Sequence, residues 1–255
     1  MTKQHHALAS AATLAASFFA GTFLAGTAEA ADAPEKKGWE HVASVGATLT
    51  RGNSETYLAT VGINSSRKWT ADEIFLGASA GYGKNRTGDS DNTTDHYYKA
   101  YGQWNHLFSE ELYGGVKVDG LHDRIAGIDY RFTVSPLIGY YLIKNARTYL
   151  AVEAGPGFVA EQFKDGDSRE YWTARFAERF EHKFSDKAKV WQSAEFLPRV
   201  DEWSDYVINA EVGASAAITE RVDLRIVLQD TYRSEPPAGR KENDLKVIAG
   251  IGYRF

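Results

Sequence analysis

His122 and Asp123 are adjacent residues with the chemistry of a general base and the carboxylate that orients it. Set on a turn beside a nucleophilic hydroxyl, such a pair suits hydrolysis. No recognisable motif places a Ser next to them, and an isolated His-Asp pair is common by chance. The other histidines in the body of the chain, His41, His96, His106 and His182, are scattered, and the last two fall near short turns. A second group, Asp89, Asp91 and Asp95 with Asn85 and Asn92, offers oxygen ligands to a hard cation such as calcium. It lacks the Gly and closing Glu of an EF-hand, and a solvated acidic loop is the plainer reading. The chain has no Cys, which excludes disulfides, thiolate metal sites and thiol catalysis. No catalytic residue, metal or cofactor is therefore expected, and the sequence reads as that of a non-enzyme.

A third set of residues follows a different logic. Lys99, Lys117, Asp119, Asp129, Arg131, Glu153, Arg175, Arg179, Glu195, Glu211, Asp223, Arg225 and Lys246 stand opposite apolar residues in alternating stretches. In strands with one face in hydrocarbon, these side chains would line the other, wet face. The energetics fix which face is which, because Lys or Arg facing lipid at the midplane costs about 2–4 kcal/mol. Both signs of charge are present, so strong ion selectivity is not expected. Arg and Glu could equally pair with one another as a structural plug. Glu178 breaks the pattern, falling among the outward Trp172, Phe176 and Phe180. A bulge or a position near a membrane interface would account for it.

The elements that must position these groups show period-two alternation. Ile128, Tyr130, Phe132, Val134, Pro136, Ile138, Tyr140 and Leu142 form one unbroken set. Tyr206 to Ile218, Val222 to Leu228 and Leu245 to Phe255 carry similar sets. A stretch from Ile128 to Leu142 extends about 50 Å at the usual rise, against roughly 17–20 Å for a typical soluble strand. Strands of that length suit a tilted barrel that crosses a bilayer. Trp39, Trp69, Trp104, Trp172, Trp191 and Trp203 fall near expected strand ends, where an interfacial girdle would sit.

Turn signals divide the chain into about twelve strands, an even number as bacterial single-chain barrels require. With a periplasmic N-terminus, the longest connections, Lys84–Asp95, Phe163–Arg169 and Arg233–Asn243, all point outward. The even-numbered ones, such as WTAD, FSDKA and ITER, are short. Twelve strands tilted about 40° give a backbone radius of roughly 12 Å, and inward side chains would narrow the bore to a few Å.

The address comes from the ends. Lys3, an Ala-rich apolar run from Ala7 to Leu24 and the small-x-small site Ala28-Glu29-Ala30 follow the order of a secretory signal. The expected organisation is a cleaved signal peptide over 1–30, a flexible periplasmic lead-in over 31–38 and a barrel over 39–255. The chain closes on Gly250-Ile-Gly-Tyr253-Arg-Phe255. Gly250, Tyr253 and Phe255 resemble the signal by which the barrel-assembly machinery recognises a C-terminal strand. The mild acidity, formally −5, gives no electrostatic reason to expect nucleic acid.

Several segments carry a resemblance to a known family. They are Leu49-Thr-Arg-Gly-Asn-Ser-Glu-Thr56, Asp123-Arg124 leading into Gly127-Ile-Asp-Tyr-Arg131, Glu153-Ala-Gly-Pro-Gly157, and Tyr232-Arg-Ser-Glu-Pro-Pro237 followed by Asp244. In this order they resemble the YdiY-like family of salt-induced outer-membrane proteins, whose function is unassigned. The resemblance implies an outer-membrane barrel and supplies no catalytic residues.

The sequence thus predicts an all-β, transmembrane antiparallel β-barrel in the bacterial outer membrane, monomeric, with lipid and the assembly machinery as partners. Its expected role is a narrow mixed-charge channel for small solutes or a structural envelope component. The alternatives are an outer-rim hydrolase using His122 and Asp123, or a binding module built on the Lys84–Asp95 loop.

Overall fold

The computed structural model describes residues 38–50, 55–87, 90–236 and 242–255. The expected signal peptide, all but the last residue of the lead-in and the Arg51–Ser54 turn lie outside the described residues. The chain forms β1 (Glu40–Thr50), β2 (Glu55–Lys68), β3 (Asp72–Thr87), β4 (Ser90–Leu107), β5 (Leu112–Asp123) and β6 (Ile128–Lys144). It continues with β7 (Thr148–Phe163), β8 (Ser168–Ser185), β9 (Ala188–Pro198), β10 (Tyr206–Ala217), β11 (Val222–Arg233) and β12 (Asn243–Arg254). Each strand pairs antiparallel with its neighbour, and β12 pairs back onto β1 to close a twelve-stranded barrel.

Alternation of residue type decides which way each side chain points, and the result is the inverse of a soluble core. Ile226 on β11 is 55% exposed on the outer wall, whereas Arg175 on β8 is 1% exposed inside. A wall carrying Val212, Leu224, Ile226, Val247 and Ile251 outward is matched to hydrocarbon, and charged residues are fully buried only when paired. Exposed aromatic residues gather at two levels. Trp39, Trp69, Trp104, Phe108, Phe184 and Phe255 ring the end that holds β1's start and β12's finish. Tyr57, Tyr82, Tyr98, Tyr130 and Trp172 lie toward the other end.

Bulges mark where simple alternation fails. The registers of β5 with β6 and β6 with β7 shift between Leu121 and Asp123 and between Ile128 and Tyr130. Ile128, expected outside, is consequently buried inside beside Tyr97 and Leu121. Asp129 turns outward with its side chain 56% exposed, so its expected place in the lumen is corrected: the extra residue flips the phase at the start of β6. The supposed long loop Lys84–Asp95 is also corrected, because β3 and β4 stay paired up to Thr87 and Ser90. Backbone pairing there continues past any apolar belt and needs no hydrophobic pattern. Pro136 and Pro156 face each other on β6 and β7, and the ladder is interrupted between Val134↔Phe158 and Ile138↔Ala154 because neither Pro has an N–H to give.

The closing seam is short. β1 and β12 share six register pairs, from Val42↔Arg254 to Ala47↔Ala249, against eleven between β1 and β2. Two backbone hydrogen bonds between His41 and Phe255, 3.3 and 3.0 Å, tie off its end. Above Ala47 the Thr48 hydroxyl donates to the Val247 carbonyl.

Inside the barrel, large rings lie over glycines directly across the ladder. Tyr113 covers Gly139, and Trp191 covers Gly213. A Cβ at either glycine would sit 2.1 Å from the ring. Trp191, expected in the girdle, is 5% exposed inside the lumen; the hole at Gly213 on the neighbouring strand accepts it. Gly213→Val is expected to expel the indole and lower unfolding stability by about 1–3 kcal/mol. Denaturant titration followed by tryptophan fluorescence checks this, and an unchanged midpoint would refute the packing argument.

Candidate functional site

Side chains from five strands meet across the middle of the lumen. Glu153 on β7 is the hub. Its Oε1 accepts hydrogen bonds from Gln103 Nε2 (2.9 Å), Tyr113 Oη (2.8 Å) and Arg179 Nη2 (2.9 Å). Its Oε2 accepts from Arg175 Nη1 at 2.9 Å. Arg175 Nε continues the network to Glu195 Oε1 at 2.6 Å, and Lys117 Nζ reaches the same oxygen at 3.2 Å. Lys117 also pairs with Asp119 at 3.3 Å. Three cations, Arg175, Arg179 and Lys117, thus face three carboxylates, Glu153, Glu195 and Asp119. These links span from β4 to β9, so they bridge the bore and do not simply run along one wall.

Toward the termini the plug turns aromatic. Tyr113, Tyr141 and Tyr149 pack in series, with centroids 4.7 and 5.3 Å apart. The Tyr141 hydroxyl donates to Glu73 at 2.5 Å, and Lys68 pairs with Glu73 at 3.4 Å. Arg179 lies over Phe75 and Tyr149, 5.6 and 5.8 Å from the ring centroids. The opposite wall has its own ties. Glu211 accepts from Trp191 Nε1 (2.7 Å) and Gln229 Nε2 (2.8 Å), Arg225 pairs with Asp223, and Lys246 reaches Asp95 at 2.7 Å. Lys99 sits 4.6 Å from the Tyr97 ring centroid.

Beyond the plug, at the end away from the termini, a cavity of about 740 Å³ opens. Arg175, Glu195 and Lys117 form its floor, and Arg131, Tyr171, Thr173, Asn209 and Arg233 line its walls. Arg131 pairs with Glu161 on the wall. At the rim Arg199 bridges Asp201 (2.7 Å) and Asp205 (3.1 Å). The hydrogen bond from Arg199 holds the Asp201 carboxyl below its usual range. A second cavity, of about 90 Å³, lies against Ser44, Asn64, Lys99, Glu211 and Arg225. The two cavities share no lining residue.

The structure brings Lys117, Asp119, Glu153, Arg175, Arg179 and Glu195 into one network. It leaves Arg131 on the vestibule wall and puts Lys99, Glu211, Asp223, Arg225 and Lys246 on the far side of the lumen. Glu73, Gln103, Asn105 and the three tyrosines were missed. They share the inward phase of their strands, and that phase was the available signal. Tyr253 and Phe255 project outward and stack at 6.0 Å, while Gly250 pairs with Gly46 so closely that a Cβ would meet the Val45 carbonyl at 2.6 Å.

The catalytic alternative does not assemble. Asp123 is fully buried inside and accepts from the Ile125 and Ala126 N–H groups at 3.0 and 2.9 Å. His122 points outside, its Nδ1 2.6 Å from the Asp129 carbonyl. The acidic cluster is likewise divided. Asp91 pairs with Arg86 on an exposed hairpin, Asp95 points into the lumen, and Asp89 lies outside the described residues. Among the described residues no group of three or more His, Asp or Glu gathers as a metal ion would need.

Comparison with solved structures finds the same architecture. The NanC porin matches with a TM-score of 0.53 at 9% identity, over 83% of this chain and 98% of that one. The COG4313 outer membrane channel from Pseudomonas putida F1 matches with a TM-score of 0.51 at 10% identity, over 90% and 98%. The translocator domain of the autotransporter NalP from Neisseria meningitidis gives 0.50 at 14% identity, over 86% and 88%. At these identities the likeness establishes the fold, that of an outer-membrane β-barrel. In sequence, the chain is 23% identical over 204 residues to the uncharacterized protein YdiY of Escherichia coli (strain K12), covering 77% of this chain and 79% of that protein. A family profile matches residues 43–255, which is nearly the whole described barrel. By that match the chain belongs to the family described as protein of unknown function, DUF481.

Proposed function

We propose that this barrel is a narrow gated channel of the bacterial outer membrane, closed at rest by the charged plug and serving small polar solutes. In this reading residues 1–30 direct export and are removed. Both ends of the described chain face the periplasm, and the vestibule faces the outside. Gly250, Tyr253 and Phe255 present the last strand to the assembly machinery. No enzymatic step is assigned.

One observation carries the reading: a vestibule large enough for a small ligand ends on a floor of ion pairs. A barrel that needed only stability would be served as well by apolar filling, because buried ion pairs are at best weakly stabilising relative to it. The network is also incompletely satisfied. Arg175 Nη2 and Gln103 Oε1 are buried with no hydrogen-bond partner. A buried donor and acceptor without partners support re-pairing within the network, which the gating reading requires. The mixed charge favours polar solutes of either sign.

Swelling of proteoliposomes tests the proposal. Uptake of small polar solutes is expected with the wild-type chain and not with solutes too large for the vestibule. Thr133→Trp, on the vestibule wall, is expected to reduce uptake to near background. If Thr133→Trp transported as fast as wild type, the vestibule would not be on the path; if no solute entered with wild type, the channel reading would fail.

A further inference from the structure

Glu178 is out of place energetically. It faces outward on β8, midway between Trp172 and Phe184, which stand exposed toward opposite ends of the wall. At about 3.3 Å per residue and a tilt of about 40°, each is roughly 15 Å away along the barrel axis. The apolar belt of such barrels is only about 25 Å tall, so Glu178 lies near its centre. No bulge excuses it. The register of β8 with β7 is unbroken, and the shift against β9 occurs only at Lys183/Ser185. Among the described residues its hydrogen-bond partner is Gln192 on β9, whose Nε2 donates to Glu178 Oε1 at 2.7 Å. That bond engages one N–H of the Gln192 amide and one Glu178 oxygen, which leaves the second amide N–H, the amide oxygen and Glu178 Oε2 for other partners.

The surrounding wall is shaped for contact. A depression of about 620 Å³ runs over Tyr140, Ala154, Phe176, Glu178, Ala194 and Phe196. Phe176 and Phe196 stack beside it with centroids 6.3 Å apart. Alanines allow another backbone to approach closely, and polar side chains hold membrane interfaces together.

We propose that the wall made by β6 to β9 is a dimer interface occupied by a second copy of this chain. The argument for self-association is complementarity. A carboxyl and a carboxamide side by side carry both donors and acceptors, so a twofold axis through them presents each group to its opposite kind. The same axis seats the aromatic pair of one copy against the depression of the other. An acyl chain could fill the depression but would leave the polar pair unsatisfied. The proposal departs from the monomer expected from sequence and does not depend on the channel reading.

The chain has no Cys, so single-cysteine variants report cleanly. Ala194→Cys, in the depression, is expected to form disulfide-linked dimers in membranes treated with copper phenanthroline. Leu76→Cys, exposed on β3 across the barrel, is expected to stay monomeric. In sparsely loaded vesicles, labelled wild type should bleach in two steps and Glu178→Leu/Gln192→Leu in one. Heat-dependent gel mobility confirms that each variant is a folded barrel. Equal crosslinking of Ala194→Cys and Leu76→Cys, or one-step bleaching of wild type, would overturn the proposal. Both results would also mean that lipid or a different protein covers this wall.

Discussion

Glu153→Ala is expected to lower the unfolding free energy by about 3–5 kcal/mol, the cost of removing one partner from a buried ion pair. The size follows from what the deletion leaves behind. Arg175 and Arg179, 1% and 9% exposed, lose their shared carboxylate, and Gln103 and Tyr113 lose an acceptor. Arg175 keeps Glu195, and Arg179 keeps the Tyr113 hydroxyl at 3.5 Å beside the rings of Phe75 and Tyr149. Glu153→Gln should cost less in packing and still remove the negative charge that Arg175 and Arg179 share. The double variant Glu153→Leu/Arg179→Met should recover most of the loss, because apolar pairs of similar volume often replace buried ion pairs without penalty. Denaturant unfolding of the three variants in lipid vesicles checks the series. A Glu153→Ala barrel as stable as wild type would mean that the network is not the tie described.

The second large effect belongs to the seam. Phe255 closes the shortest ladder of the barrel through two backbone bonds to His41 and a ring stack at 5.4 Å. Deleting Tyr253–Phe255 removes those bonds and two of the six register pairs between β1 and β12. An open edge in lipid leaves backbone groups unsatisfied, each costing several kcal/mol. The deletion is expected to abolish heat-modifiable, membrane-inserted protein. Phe255→Ala keeps the backbone bonds and should give a partial loss. Normal levels of folded barrel from the deletion would show that the seam needs none of the three residues.

Much of this architecture was legible because period two leaves a strong mark. The stretch from Val222 to Leu228 alternates with Asp223, Arg225 and Gln229, and β11 follows it directly. The tilt of charge toward one face reflects a cost that lipid imposes everywhere on the wall. What escaped the sequence was non-local. Asp129 lost its phase to a bulge that depends on how β6 meets β5 and β7. Trp191 has the residue type of a girdle, yet it turns inward because Gly213 on the next strand leaves room for its ring. The polar run around Asp89 reads as a loop, but β3 and β4 pair through most of it. Glu178 needed neither a bulge nor an interface position, and its partner Gln192 lies on another strand. The plug shows the same limit. Lys117, Glu153, Arg175, Arg179 and Glu195 could each be placed inside from alternation. Which carboxylate meets which guanidinium depends on register around the cylinder, which no single strand encodes.

In the proposed channel the plug is the barrier across the lumen. Single-channel recording in planar bilayers, comparing wild type with Arg175→Ala/Glu153→Ala/Glu195→Ala, addresses it most directly. The triple variant removes the ties that Glu153, Arg175 and Glu195 make to one another and to Gln103, Tyr113, Arg179 and Lys117, leaving Lys117 with Asp119. Wild type is expected to show long closed periods with brief openings, and the variant a sustained, larger conductance. Indistinguishable traces, whether both silent or both open, would contradict it.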